Sequence, residues 1–357
     1  MTSVETLSAG KLRGLMTLAD ERGIFRMVAV DQRPPLFQAL ARHGDRTPEQ
    51  VTYDEVAAVK TLLTRMLAPA ASAILIDPVW THPHALHQVP GRVGLLSTLE
   101  DHNFRLENGE RWSYSIPGWS VAKIKRSGAA GVKVLAWHRP DLRDDTQEHQ
   151  DAFVAGVGEA CREQDIPFIL ELLTYPKPGE DVGGTEYARA KPHRVLESVR
   201  HYADERFGVD LLKLEFPADL KFTREFAGGA VDGTARRPGY DLAEVKDYLA
   251  TLDEIAQVPW VLLSAGVGQL EFSLDLELAC EAGASGFLAG RAVWLEALER
   301  YPDMAAVEAR LAAASLPYLR RISAMAETAT PWWDHRRYGG VAALQGAAPE
   351  WYREYPG

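Results

Sequence analysis

The sequence predicts an α/β protein built as a (β/α)8 (TIM) barrel. Eight short apolar runs alternate with longer amphipathic segments, the order that a parallel sheet with crossover helices requires. A length of 357 residues suits one large barrel with additions, or two ordinary domains. No GxGxxG follows the first run, which counts against the open doubly wound sheet that the same alternation would otherwise fit.

The expected strands are residues 27–31, 73–77, 95–99, 132–137, 168–173, 210–216, 260–265 and 286–290. Between them, apolar residues recur at helical spacing. Val56, Val59, Leu63 and Met66 form one stripe, and Phe153, Val157, Ala160 and Cys161 a second. Val195, Val199 and Tyr202 form a third, with Pro192 expected near its start, where proline is tolerated. Leu242, Val245, Leu249 and Leu252 form a fourth. Leu270, Phe272, Leu274, Leu276 and Leu278 alternate with period two, as in a strand. Length and position between two strong strands favour a helix there. The expected organisation is one barrel domain over 1–327, with a helical lead-in, and a tail over 328–357. That tail carries Trp332, Trp333, Tyr338, Trp351, Tyr352 and Tyr355, so it should pack on the barrel or on a partner subunit. The stretch 218–240 is long for a loop after a barrel strand, which fits either a lid or a surface insertion.

Bulk properties narrow the function. A formal charge of -11 argues against nucleic acid as a partner. The two cysteines, Cys161 and Cys280, lack CxxC spacing, so a disulfide-free cytoplasmic protein is expected. No basic-then-apolar leader opens the chain, and no run is long enough for a membrane helix. His82, His84 and His87 crowd a short segment, but Pro83 interrupts helical spacing, and a hydrated or substrate-facing loop is expected rather than a metal site.

Charged residues inside apolar strands carry the functional signal. Lys133, Glu171 and Lys213 each interrupt an otherwise apolar run. Burying such a group costs several kcal/mol unless it is paired or used. Strand side chains alternate between faces. Leu212, Leu214 and Phe216 form a wholly apolar face that should meet the helices, so Lys213 should point into the barrel. The same logic turns Lys133 and Glu171 inward. Asp31, Ser264 and Arg291 fall at strand ends, where barrel active sites lie. An amine held neutral by burial and a neighbouring cation attacks a ketone to form a Schiff base. Glu171 could then carry protons during imine formation and carbon–carbon cleavage. Ser264, Gly266, Gly290 and Arg291 close the last two strands, where backbone N–H groups and a guanidinium suit a phosphate.

In order and combination, these motifs resemble the class I tagatose-1,6-bisphosphate aldolases. The matching segments are Ala29-Val-Asp-Gln-Arg33, Trp119-Ser-Val-Ala-Lys-Ile-Lys125, Val132-Lys133, Ile169-Leu-Glu-Leu-Leu173, Gly208-Val-Asp-Leu-Leu-Lys-Leu-Glu215, Leu263-Ser-Ala-Gly-Val267 and Gly290-Arg-Ala-Val-Trp294. The resemblance implies Lys213 as the imine-forming lysine and Glu171 as the acid/base. It implies Lys133 and Asp31 as polar partners near the reacting carbons, and Gln32 and Arg33 as substrate-facing. Ser264, Gly266, Gly290 and Arg291 match phosphate-binding positions. It further implies a metal-independent enzyme without a cofactor, a small sugar phosphate as partner, and a homo-oligomer. Two departures concern the substrate's far end. Pro34 and Pro35 stand where the family usually has glycine and a small residue, and Asp77-Pro-Val-Trp80 stands where it usually has Asp-Pro-Glu-Tyr-Gly. The run from Glu281 to Arg291 also resembles the sulfofructose-phosphate aldolases, so a sulfonated ketose phosphate competes as substrate. A non-catalytic sugar-phosphate sensor and a transaldolase-like transferase are the remaining alternatives.

Overall fold

The computed structural model describes residues 7–44, 46–340, 350–353 and 355, without the side chain of Trp351. Eight parallel strands close into a barrel: β1 (Phe25–Ala29), β2 (Ala73–Ile76), β3 (Gly94–Thr98), β6 (Gly131–Trp137), β7 (Phe168–Leu173), β8 (Leu211–Leu214), β9 (Trp260–Leu263) and β10 (Gly286–Ala289). β10 pairs with β1 to complete the ring. Two short antiparallel strands, β4 (Arg105–Glu107) and β5 (Glu110–Trp112), form a hairpin over the mouth between β3 and β6. Their short, mostly charged composition gave no strand signal.

The expected strands hold with shorter carboxyl ends. β1 stops at Ala29, so Asp31 lies past the strand, and β8 and β9 stop at Leu214 and Leu263. The chain turns out of the sheet at these ends to present polar groups to the mouth. The alternating leucine segment is helical, over Gln269–Ala282. Its buried Phe272, Leu276, Ala279 and Cys280 lie at helix spacing, while Leu270 is exposed. Pro192 is not near a helix start. It lies inside the helix Thr185–Tyr202 and is buried there. The histidine segment is not a loop but a one-turn helix, Thr81–Ala85, in which His82 packs on Trp119 and the Tyr53 hydroxyl meets His84.

Side-chain alternation sorts the core into two layers of packing. Ile74, Val132, Leu170, Leu212 and Leu262 face the helices in the larger cluster. Phe25, Met27, Leu75, Leu96, Ile169, Leu211, Val261 and Leu288 fill the lower barrel interior. Trp332 and Tyr338 join that inner cluster from the start of the tail, with ring centroids 5.4 Å apart. The Trp332 N–H donates to the Gly23 carbonyl at 3.0 Å. Further along, the Gly10 N–H donates to the Tyr355 hydroxyl at 3.1 Å, whereas Tyr352 is exposed. Residues 341–349 of the expected tail lie outside the described residues. No described helix is long and apolar enough to cross a membrane.

Candidate active site

At the carboxyl ends of the strands the interior changes from apolar to ionic. Glu171 and Lys213 are register partners across the β7–β8 ladder, so their side chains leave the sheet side by side. The Lys213 ammonium lies 2.9 Å from Glu171 Oε2. Lys133 starts lower. Its register partner on β7 is Ile169, two residues before Glu171, a drop of about 7 Å. Its four-carbon stem spans that drop and brings Nζ to 2.7 Å from the same Glu171 oxygen. Lys133 also donates to Asp31 Oδ2 at 3.0 Å and to Glu100 Oε1 at 2.8 Å. Both lysines are almost sealed from solvent, at 2% and 3% exposure.

The electrostatics follow from this cage. Burial opposes the charge of Lys133, but Asp31, Glu100 and Glu171 together hold its pKa well above the usual lysine value. Burial pushes Asp31 up, and Lys133, Lys213 and Arg33 overcome it, so Asp31 titrates well below the usual carboxylate range. Glu171 is likewise pushed up by burial and brought down further by Lys133 and Lys213. The result at neutral pH is a carboxylate between two amines. Asp31 Oδ1 and Gln32 Oε1 are buried with no hydrogen-bond partner, leaving two acceptors beside the lysines.

A cavity of about 280 Å³ opens above this cluster. Asp31, Gln32, Arg33, Lys133, Glu171, Lys213 and Arg291 all line it. Ser264 and Gly290 line a smaller adjoining cavity of about 190 Å³, which shares Gln32, Glu171, Lys213 and Arg291 with the first. Gly266 lines neither. It lies on the far side of Arg291, with φ +82°, and a Cβ there would come within 2.7 Å of the Arg291 guanidinium carbon. Its lack of a side chain gives Arg291 its position. The preceding Ala265 also has positive φ, 44°, so the turn after β9 is sharp and strained. Gly290 is equally confined: a Cβ there would meet Gln32 Nε2 at 2.5 Å and the Ala29 carbonyl at 2.9 Å. Burial pulls the Arg291 pKa down, with only Glu171 and Asp31 opposing.

Arg33 lines the cavity, but its guanidinium is committed to Glu100: Nη2 lies 3.2 Å from the carboxylate and Nη1 donates to the backbone carbonyl at 3.1 Å. Glu100 was not among the expected site residues. It closes the third strand just as Asp31 closes the first, so the same signal could have found it. Arg111, on β5 of the hairpin, and His102, just before it, were missed because neither lies in a run with an apolar strand pattern. Of the two departures, Pro34 and Pro35 line the cavity, whereas Trp80 stands behind it against Phe37 and His102. The long stretch 218–240 lines neither cavity. It folds on itself, with Thr223 bridged to Tyr240. Cys161 and Cys280 are buried away from the cluster, and burial raises both thiols, Cys280 to about 12. Among the described residues no group of His, Cys, Asp and Glu is arranged to hold a metal ion.

Comparison with known proteins gives a consistent picture. Residues 25–296 match the model of the DeoC/LacD family aldolases. The chain is 32% identical over 333 residues to the tagatose 1,6-diphosphate aldolase of Lactococcus lactis subsp. lactis, covering 92% of this chain and 99% of that one. It is 34% identical over 289 residues to the tagatose 1,6-diphosphate aldolase of Streptococcus pneumoniae (strain ATCC BAA-255 / R6), covering 80% and 85%. Among solved structures, the fructose-bisphosphate aldolase of Plasmodium falciparum superposes with a TM-score of 0.65 at 15% identity, covering 92% of this chain and 99% of that chain. That likeness bears on the barrel fold.

Proposed function

The chain belongs to the DeoC/LacD family of aldolases, and from that premise we propose that it is a class I, Schiff-base aldolase of ketose 1,6-bisphosphates. Its substrate on this reading is tagatose 1,6-bisphosphate, the sugar in the names of its relatives. The products are dihydroxyacetone phosphate and glyceraldehyde 3-phosphate, and the reverse condensation also runs. The observation that carries the reading is the Lys213 amine, sealed in the barrel 2.9 Å from a carboxylate, at the floor of a cavity that also holds Arg291.

In the proposed sequence Glu171 takes a proton from Lys213, and the free amine adds to the C2 carbonyl. A proton moves from the added nitrogen to the former carbonyl oxygen, giving the carbinolamine, and Glu171 then returns its proton to that hydroxyl, which leaves as water and gives the iminium. Glu171, again a carboxylate, removes the proton of the C4 hydroxyl. The C3–C4 pair flows into the iminium, releasing the aldehyde and leaving an enamine on Lys213. The proton on Glu171 passes to C3, and hydrolysis frees the ketone and restores the amine. Lys133, held cationic by its three carboxylates, keeps Glu171 ionised between these transfers. Asp31 fixes Lys133 and offers its free oxygen to substrate hydroxyls. Gln32 and Arg33 shape the wall beside them. Ser264, Gly290 and Arg291 receive the phosphate on C1, with Gly266 making room for Arg291.

The same reading takes the protein to be cytoplasmic and homo-oligomeric, acting on a small sugar phosphate without nucleic acid, membrane, metal or cofactor. Turnover is read by coupling triose phosphate formation to a reporter, across tagatose, fructose and sorbose 1,6-bisphosphates, with and without chelator. Dihydroxyacetone phosphate from tagatose 1,6-bisphosphate, insensitive to chelator, is expected. No triose phosphate from any of the three sugars would sink the proposal.

A further inference from the structure

Five cationic side chains, Arg33, Arg111, Lys133, Lys213 and Arg291, line or floor the main cavity together with His102, whose charge burial disfavours. Lys133, Lys213 and Arg33 are each in salt-bridge contact with a buried carboxylate, and His102 lies 3.2 Å from Asp101. Of these cavity-lining cations, only Arg291 and Arg111 lack such a partner among the described residues. Arg291 is the guanidinium at the C1 phosphate end. Arg111 belongs to β5 of the mouth hairpin, and three aromatic faces hold its guanidinium: Trp137 at 4.2 Å, Phe104 at 4.5 Å and Tyr175 at 4.9 Å. The Trp137 backbone lies four residues beyond Lys133 on β6, about 13 Å further toward the mouth. Burial pulls the Arg111 pKa down, with no carboxylate to offset it.

The hairpin that carries Arg111 is fastened rather than loose. Trp112 Nε1 donates to Thr146 Oγ1 at 3.0 Å and its ring stacks on His149 at 4.1 Å. The Ser113 N–H donates to Gln150 at 2.8 Å, and the Arg111 N–H to the Tyr175 hydroxyl at 3.3 Å. A half-buried cation, fixed in place and left without a counter-charge, is unfavourable in the free protein and favourable only when an anion arrives.

We infer that Arg111 is a specificity-determining residue that binds the distal oxyanion of the substrate, the group on C6, so that Arg291 and Arg111 together measure a ketose with an anion at each end. The inference rests on the ketose-phosphate reading above. Phosphate and sulfonate share the required chemistry, a tetrahedral oxyanion facing a planar fork of donors.

The test compares kcat/KM for ketose 1,6-bisphosphate, the 1-phosphate lacking the distal anion, and the 1-phosphate carrying a 6-sulfonate. In Arg111→Ala, the loss should be about tenfold to a hundredfold greater on the two substrates with an anion at each end than on the 1-phosphate, the scale of one charged hydrogen-bonding contact. Arg111→Lys should recover part of it. Arg111→Gln, which keeps a planar end on the aromatic faces, guards against a folding defect and should show the same selective loss. The better of the two substrates with an anion at each end in the wild-type chain identifies the distal group. Equal losses on all three substrates, or none, would overturn the inference. Calorimetric Kd values for the same compounds separate it from the reaction proposal. A chain that forms no imine but binds the bisphosphate more tightly than the 1-phosphate, and loses that preference in Arg111→Ala, defeats the reaction and keeps the subsite.

Discussion

The lower and upper halves of the barrel interior are made by the same strands and follow opposite rules. Below, Phe25, Met27, Leu75, Ile169, Leu211, Val261 and Leu288 fill the space with hydrocarbon, and Trp332 and Tyr338 close the floor. Above, one or two residues along, Asp31, Lys133, Glu171 and Lys213 meet in a charged cluster. β8 shows the change within two residues: Leu211 is packed in hydrocarbon, and Lys213 sits against Glu171. The lower half stabilises the fold by burial. The upper half adds little net stability over an apolar core, because desolvation offsets the attraction between charges. Its retention is therefore explained by chemistry rather than by folding.

If that division is right, substitutions in the two halves should fail in different ways. The largest effect is expected for Glu171→Gln. It should lower kcat per folded molecule by about 10²–10⁴-fold, with some loss of stability because Lys133 and Lys213 lose their shared counter-charge, as steady-state kinetics and calorimetry would read. A collapse of stability with kcat per folded molecule preserved would erase the distinction. Leu211→Ala, two residues from Lys213, should do the reverse. Denaturant unfolding should show a loss of about 2–5 kcal/mol, and the folded fraction should turn over normally.

How far this division could be read without coordinates differs between the halves. The barrel and the inward facing of Lys133, Glu171 and Lys213 follow from period-two alternation, because a charge in an apolar strand has only two sides to choose between. The convergence of the three does not follow, since it depends on the two-residue offset in the β6–β7 register that lets Lys133 reach up to Glu171. Glu100 carried the same strand-end signal as Asp31, but its contact with Lys133 could not be read from it. Arg111 sits on a hairpin whose composition carries no periodicity. Gly266 could be seen as a glycine at a strand end, but its service to Arg291 needs the +82° backbone and the guanidinium beside it. Pro192 shows the converse, where a propensity rule for helix starts gave way to packing.

Smaller effects sharpen the comparison at the edges of the upper half. Gly266→Ala would strain a left-handed backbone and push on Arg291. KM for a phosphorylated ketose should rise about tenfold, the weight of one displaced charged contact, with Lys213 chemistry intact in single-turnover assays. Unchanged KM would remove Arg291 from the phosphate site. The acid limb of stability should report the cluster most gently. Asp31 and Glu171 titrate below their unfolded values of about 3.9 and 4.3. Their ionised forms therefore contribute stability above about pH 4, and the contribution is lost as pH falls through the lower folded values. Asp31→Asn should lose some stability at pH 7 and show a shallower decline from pH 5 to pH 2 in denaturant titrations. An unaltered acid slope would mean that the charge on Asp31 is not linked to folding.

The central claim is tested most directly by borohydride reduction in the presence of tagatose 1,6-bisphosphate, followed by peptide mass mapping. The account predicts one covalent adduct of a three-carbon or six-carbon phosphate on the peptide containing Lys213, absent without sugar and absent in Lys213→Arg. An adduct on Lys133 or on any other lysine, or an unmodified chain after reduction with every ketose phosphate tried, would contradict it.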